Sequence, residues 1–314
     1  MAHSVMFHHF HDGVVHRRSQ GSLSAEDFSA VLDWLERRYR IIDAAQYREK
    51  LLAGELRDEE ICLSFDDGLL CQAEIAAPIL KQRDLRAFFF VYSAPFRGES
   101  NYIEIYRYFR NSKFHDIDHF YRVFIQKLQK EHAGAYEDGR QRFERDRVYQ
   151  LWHEQYPFYS REDIWFRYLR DTVLGPLKYG EIMHSMMEEH SFCETEIHEL
   201  LWMSDHHLRS LDEQGHVIGL HSYSHPTTLH RLPEQEQREE YERNYEHLQE
   251  VLGNAPKAMS HPCGSYDETT LRILSDLKID TGFRANMSIL EIRSNLEVPR
   301  EDHANIVGKM REDS

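Results

Sequence analysis

Residues 61–68 read ICLSFDDG, an apolar run that stops at two aspartates and a glycine. A compact apolar run that ends at turn-forming residues predicts a buried strand followed by a loop. A helical stretch at residues 74–83 comes next, and then a second continuous apolar run at residues 86–92. Strand, helix and strand in this order indicate a parallel sheet with crossover helices, whose strands are covered on both faces.

The same alternation extends along the chain in both directions. Apolar positions three and four residues apart predict a helix at residues 24–39, and Ser24 and Asp27 stand at capping-box positions at its start. After residue 300 the chain is polar, and we expect a disordered tail. The remaining predicted strands and helices lie at residues 4–7, 41–42, 204–211, 216–220, 233–252, 258–261, 269–277, 281–284 and 296–298.

The segment 99–200 breaks this alternation. It is rich in Tyr, Phe, Arg and Glu and poor in runs typical of strands. We interpret it as a mostly helical insertion. The flanking residues 1–98 and 201–314 would then form the first and second parts of one α/β barrel, a fold that commonly reaches this size as a single domain.

Composition excludes several classes of protein. The chain has 314 residues and a formal net charge of −16, which disfavours binding to a phosphate backbone, so we expect no nucleic-acid partner. No apolar stretch approaches the ~18 residues needed to cross a bilayer, so we expect no transmembrane segment. The first residues lack a basic region followed by a long apolar run, and we expect a cytoplasmic protein without a secretion signal.

Three polar clusters come directly after predicted strands. They contain Asp66 with Asp67, His221 with His225, and a group of histidines that begins at His8. Because the catalytic groups of α/β barrels lie at the carboxyl ends of the strands, we expect the clusters to meet at one face. Two imidazoles and one carboxylate form a common site for a catalytic divalent metal ion with an open position for water. A neighbouring carboxylate that does not bind the metal can take a proton from that water.

At these positions the sequence resembles the polysaccharide deacetylase family, which has NodB homology and forms carbohydrate esterase family 4. Residues 63–68 (LSFDDG) are similar to the family's first motif, TFDDG, and residues 215–226 (GHVIGLHSYSHP) are similar to its second, GHEIGSHTxxHP. Residues 260–267 (SHPCGSYD) resemble the third motif, which ends in PYG. The resemblance implies a distorted (β/α)7 TIM-like barrel, and the helical insertion lies outside the matched motifs.

The resemblance also implies roles for the matched residues. Asp66 would be the base that activates water. Asp67, His221 and His225 would bind the metal ion, which is most often zinc in this family. The products would be a free amine and acetate.

The family also uses a histidine as general acid. Residues 5–8 (VMFH) resemble the strand that carries this histidine in deacetylases of poly-N-acetylglucosamine whose barrel is circularly permuted. We therefore predict that His8 is the acid. The alternatives are His9, His11 and His303.

Two departures from the third motif concern how the substrate and the base are held. Ser260 stands where the family carries an arginine that orients the base, and Cys263 stands where it carries a tyrosine. The backbone N–H groups near Cys263 and Gly264 would still hold the oxyanion of the tetrahedral intermediate. Arg300 could reach the base, or the bound substrate, from the last strand.

The leading hypothesis is removal of an N-acetyl group from an amino sugar or a surface-glycan precursor, carried on a nucleotide or a lipid. The motifs leave three alternatives open: O-deacetylation, hydrolysis of another C–N amide bond, and metal or glycan binding without turnover. The aromatic residues of the insertion would either form its own core or line a sugar site. The insertion could also support a homo-oligomer.

Overall fold

The computed structural model describes residues 3–150 and 160–313. The chain divides into two compact units. The first unit comprises Met1–Asn101 and His198–Ser314, and the second comprises Tyr102–Ile197. The second unit falls within the segment for which the sequence predicted a helical insertion.

The first unit is built on a sheet of parallel strands. The strands are β1 (His3–Phe7), β2 (Arg40–Ile41), β3 (Glu60–Asp66), β4 (Phe88–Val91), β5 (Val217–Leu220), β6 (Ala258–Ser260), β7 (Thr281–Phe283) and β8 (Arg300–Asp302). Their order is β7-β6-β5-β4-β3-β1-β8, and β2 pairs with the start of β3 beside this path. A parallel bridge between Phe283 and Val298 joins β7 to the segment that leads into β8. Seven strands therefore form a nearly closed barrel, which confirms the predicted (β/α)7 fold.

Helices follow most of the strands, and further helices build the second unit. They are α1 (Ala25–Glu36), α2 (Ala44–Ala53), α3 (Ala77–Gln82), α4 (Tyr102–Lys113), α5 (Ile117–Glu131), α6 (Ala133–Phe143), α7 (Arg147–Gln150), α8 (Arg161–Tyr168), α9 (Gly175–Glu189), α10 (His198–Leu201), α11 (Asp205–Glu213), α12 (Glu234–Leu252), α13 (Glu268–Asp276) and α14 (His303–Glu312). The predicted capping box of Ser24 and Asp27 is present at the start of α1. A π-helical turn at Gln72–Ala76 precedes α3. Among the described residues, every helix is too short or too polar to cross a bilayer.

The core of the barrel explains how two strand ends come together. Strands β1 and β3 are buried along their whole length, as their apolar runs predicted. Phe7 pairs in register with Phe65, and the two rings stack with centroids 5.3 Å apart. Phe28 of α1 packs edge-on against both rings. Because Phe7 and Phe65 are in register, His8 and Asp66 lie side by side at the same end of the barrel.

Two predictions for the C-terminal end were wrong. The last strand was expected at residues 296–298, but it lies at Arg300–Asp302 and leads directly into α14, where a disordered tail was expected. This segment is ordered because β8 pairs with β1 and because α14 buries His303 and Ile306. Only these two positions of the helix are buried, and the charged residues Lys309, Arg311 and Glu312 at its end made the segment look like a polar tail.

The second unit is helical, and its aromatic residues pack against one another. Phe120, Phe124 and Phe166 are buried. The ring of Phe166 lies 5.4 Å from that of Phe120 and 5.1 Å from that of Phe124, measured between centroids, with edge-on geometry in both pairs. These contacts favour the interpretation that the aromatic residues form the core of the insertion.

Candidate active site

The turn after β3 carries two buried carboxylates. Asp66 is the last residue of β3, and the next two residues, Asp67 and Gly68, have φ angles of 82° and 62°. Aspartate is one of the few non-glycine residues found often in this left-handed region, so the pair can turn the chain immediately after the strand. Asp66 and Asp67 are only 2% and 7% exposed. Carboxylates at this depth require charged or hydrogen-bonding partners.

Asp67 faces two imidazoles. Its Oδ1 atom lies 3.4 Å from Nε2 of His221 and 3.5 Å from Nε2 of His225. One ligand atom from each of the three residues lies within 4.8 Å of the other two. The structure therefore brings together the three residues that were predicted as metal ligands, although they come from opposite parts of the chain.

The donor set of these residues fits a divalent cation. Oδ1 of Asp67 is buried and accepts no hydrogen bond from the part of the chain that the structure describes. Nδ1 of His221 lies 2.8 Å from the carbonyl oxygen of Ser260, an arrangement in which its N–H donates and the Nε2 lone pair faces Asp67. Burial alone would lower the pKa of His221, but the nearby carboxylates of Asp66 and Asp67 raise it above its ordinary value. A cation among these acceptors would satisfy all of them.

Asp66 is held by a buried arginine. Nη1 and Nη2 of Arg300 donate to Oδ1 and Oδ2 of Asp66, each at 2.7 Å, which is a bidentate ion pair. Oγ of Ser260 accepts from Nη2 of Arg300 at 2.6 Å and donates to Oδ2 of Asp66 at 3.1 Å. Ser260 stands where the third motif carries an arginine, and the guanidinium group of Arg300, from β8, lies beside it. Both side chains hydrogen-bond to Asp66.

This pairing keeps Asp66 ionised. Burial would raise the pKa of its carboxyl, but the charges of Arg300 and His221 hold that pKa below its usual range. A carboxylate that is ionised, oriented and adjacent to a cation site can accept a proton from water.

His8 lies next to this carboxylate. Its Nε2 atom is 4.0 Å from Oδ2 of Asp66, and its side chain is 27% exposed. The buried amide of Gln72, in the π-helical turn, donates to the carbonyl oxygens of Asp66 at 2.6 Å and of His8 at 2.9 Å. Gln72 therefore joins the ends of β1 and β3 and sets the spacing between the predicted base and the predicted acid.

The other histidines proposed as acid are placed less favourably. The ring of His9 stacks on that of His8, with centroids 6.2 Å apart. Nδ1 of His11 lies 2.9 Å from a serine hydroxyl. Both ring nitrogens of His303 lie next to backbone carbonyl oxygens, at 3.3 and 2.8 Å, and burial lowers the pKa of this residue. Of the four, His8 is the one beside Asp66.

The turn after β6 contains the residues predicted to meet the substrate. Cys263 has a φ angle of 51°, and its side chain is exposed. The N–H of Gly264 donates to the carbonyl oxygen of His261 at 3.0 Å, so the structure does not support Gly264 as an oxyanion donor. Arg300 is fully buried and pairs with the carboxylate of Asp66, the predicted base, and a contact between Arg300 and substrate stays a prediction. The role of the Cys263 N–H as an oxyanion donor stays a prediction.

Three residues that hold the site were not predicted from the sequence: Gln72, Glu240 and Asn244. Glu240 and Asn244 lie on α12 and accept hydrogen bonds from the loop that carries His221 and His225. Asn244 is 0% exposed. It falls among the buried positions of α12, three residues after Tyr241, and a buried amide at such a position must find partners. The position of Asn244 in this pattern of buried residues was the sequence signal that could have identified it.

Comparison with known proteins supports the family resemblance. The sequence profile of the family described as polysaccharide deacetylase matches residues 183–282. This range includes His221 and His225 and the third motif, whereas the two aspartates lie outside it. No curated protein was found to match the sequence.

Solved structures share the fold over nearly the whole chain. IcaB from Ammonifex degensii has a TM-score of 0.56 and 16% identity, covering 95% of this chain and 90% of that chain. The deacetylase PplD of Streptococcus pyogenes, in complex with acetate, has a TM-score of 0.53 and 14% identity, covering 96% and 91%. A de-N-acetylase from Aggregatibacter actinomycetemcomitans has a TM-score of 0.53 and 12% identity, covering 95% and 93%. At these identities the likeness concerns the fold. Together, the family match over residues 183–282, the three motifs and the shared barrel make the chain similar to the polysaccharide deacetylases with NodB homology.

Proposed function

We propose that this protein is a metal-dependent hydrolase that removes an N-acetyl group from an amino sugar or a surface-glycan precursor. The observation that carries the proposal is the second carboxylate at the site. Metal binding alone would need only Asp67 and the two histidines, yet Asp66 adds an ionised carboxylate that is buried together with Arg300. A buried ion pair is costly to desolvate, and a base for water activation would account for its presence here.

Asp67, His221 and His225 would hold the divalent cation. Zinc is the first expectation, because imidazole and carboxylate ligands suit it. When bound, the cation would polarise the acetyl carbonyl group and lower the pKa of a water molecule.

The remaining residues of the site would move and hold protons. Asp66 would accept a proton from the attacking water, while Arg300 and Ser260 keep its carboxylate oriented. His8 would donate a proton to the leaving nitrogen, since its partly exposed imidazole is within reach of a substrate. The N–H of Cys263 would stabilise the oxyanion. The products would be acetate and a free amine.

Metal content and acetate release, measured together, test this proposal. Wild type, Asp67→Ala and Asp66→Asn would be examined by elemental analysis and assayed with UDP-N-acetylhexosamines and chitin oligomers. We expect about one divalent ion per chain in wild type, loss of metal and acetate release in Asp67→Ala, and loss of acetate release alone in Asp66→Asn. His206→Ala, which removes an exposed histidine, is the matched control and should keep both. A wild-type protein that binds no divalent ion under any loading condition would contradict the proposal.

The same samples separate the alternatives. An O-deacetylase would release acetate without forming a primary amine, so an amine assay on the products distinguishes the two bonds. A homologue that binds metal or glycan without turnover would release no acetate from any substrate, and Asp66→Asn would bind glycan like wild type. The family match favours hydrolysis of a sugar amide.

A further inference from the structure

Two of the three proposed metal ligands belong to one short loop. It follows β5 and runs from His221 to His225, and both Ser222 and His225 have positive φ angles, 62° and 59°. A non-glycine residue in this region costs about 1–3 kcal/mol and persists only where surrounding groups hold it. The positions of the two imidazoles therefore depend on whatever fixes the backbone of this loop.

One carboxylate from α12 binds the middle of the loop. Oε2 of Glu240 accepts hydrogen bonds from the backbone N–H groups of Tyr223 and Ser224, at 2.9 and 2.8 Å. Oε1 of Glu240 accepts from the hydroxyl of Ser224 at 2.6 Å. Hydrogen bonds to an ionised acceptor are roughly twice as strong as neutral ones. Glu240 thus holds the backbone midway between the two histidines.

One helical turn further along α12, Asn244 binds the start of the same loop. Its Oδ1 atom accepts from the N–H of His221 at 2.9 Å. Its Nδ2 atom donates to the carbonyl oxygen of Val91 at 2.9 Å and to the hydroxyl of Ser93 at 2.6 Å, so it ties the loop to the end of β4. Residues four apart lie on one helix face, and α12 therefore presents Glu240 and Asn244 as one row along the loop.

We infer that Glu240, supported by Asn244, is a positioning residue that fixes this loop so that the imidazoles of His221 and His225 converge on Asp67. The inference rests on the proposed metal-binding function, but it does not require turnover. Glu240 acts through the backbone of the loop. Removing a group that orients metal ligands without binding the metal itself typically weakens metal binding about 10–100-fold.

Zinc affinity tests the inference. Glu240→Ala, Glu240→Gln and Glu239→Ala would be titrated with Zn²⁺ in competition with a chromophoric chelator. We expect the Kd of Glu240→Ala to rise about 10–100-fold. Glu240→Gln should raise the Kd less than Glu240→Ala, because its Oε1 atom can still accept from both N–H groups through weaker, neutral hydrogen bonds. Glu239 is the matched control, since it is exposed and bonds to Gln235 on its own helix, and its replacement should leave the Kd unchanged.

Hydrogen exchange of the metal-free proteins gives a second readout. The amides of Tyr223 and Ser224 should exchange fastest in Glu240→Ala and at an intermediate rate in Glu240→Gln. The thermal unfolding temperatures of both variants should stay similar to that of wild type. Should Glu240→Ala fail to fold, Glu240→Asp, which withdraws the carboxylate by one methylene, takes its place. Wild-type zinc affinity or unchanged exchange in the Ala or Asp variant would overturn the inference. If wild type itself binds no zinc, the proposed function fails, and exchange alone decides whether Glu240 fixes the loop.

Discussion

Replacing Arg300 with methionine should destabilise the barrel, because the change leaves the carboxylate of Asp66 buried without its counter-ion. The side chain of Arg300 is 0% exposed and that of Asp66 is 3% exposed. Removing one partner of a buried ion pair costs about 3–5 kcal/mol. Methionine also removes the donors to the hydroxyl of Ser260 and the carbonyl oxygen of Arg284. We therefore expect a loss at the upper end of this range, about 4–5 kcal/mol in the free energy of unfolding.

The loss should depend on the charge of Asp66. In the Arg300→Met background, Asp66→Asn removes that charge, and the double variant should recover about 2–3 kcal/mol. Urea unfolding of the metal-free proteins, followed by far-UV circular dichroism, measures both the loss of stability in Arg300→Met and its recovery in the double variant. Arg272→Met is the control, because Arg272 is 55% exposed where it pairs with Glu234. A surface pair of this kind contributes at most about 1 kcal/mol.

Two results would refute this reasoning. If Arg300→Met lost no more stability than the surface control, the guanidinium would not be what allows Asp66 to be buried as an ion. If Asp66→Asn made Arg300→Met still less stable, the cost of losing Arg300 would not come from an unpaired buried charge.

Gln72→Met should lower acetate release about 10–100-fold with metal content unchanged, because the amide of Gln72 sets the spacing of His8 and Asp66. A loss of metal as large as the loss of acetate release would contradict this prediction. Burial lowers the pKa of His216 to about 4 from an ordinary value of 6.5. Between these pH values the unfolded chain binds a proton that the folded chain excludes, so up to about 3 kcal/mol of stability is lost as the pH falls. His216→Asn keeps an acceptor for the N–H of Ala87 and should flatten the pH dependence of the free energy of unfolding. An unchanged slope would show that His216 does not cause the loss of stability at low pH.

The proposed metal ligands could be predicted because the necessary information lies in short stretches of the chain. Asp67 follows one buried apolar strand, and His221 and His225 follow another. Parallel strands of one barrel end at the same face, so residue type and strand position together predict that the three side chains meet. Each strand's burial pattern is visible in its own few residues, which is why β3 and β5 were found close to their observed bounds.

The burial and the partners of Arg300 could not be predicted from the sequence in the same way. The sequence suggested that Arg300 reaches Asp66, the predicted base, but a fully buried arginine and a surface arginine look alike in a polar C-terminal segment. Its burial depends on β8 pairing with β1, which joins the two ends of the chain. The wrong prediction of a disordered tail has the same cause, since α14 is held by contacts with α1 and β1 rather than by its own helix propensity.

The chemistry of the site therefore follows from the sequence, in which strand ends and residue types specify two carboxylates and three imidazoles at one face. The geometry that holds these groups follows from the tertiary structure. Arg300, Gln72 and Glu240 are polar residues whose partners lie on other strands and loops. A polar side chain on a helix or a terminal strand does not specify its partner locally, because donor and acceptor meet only when the helices pack onto the barrel and its ends close.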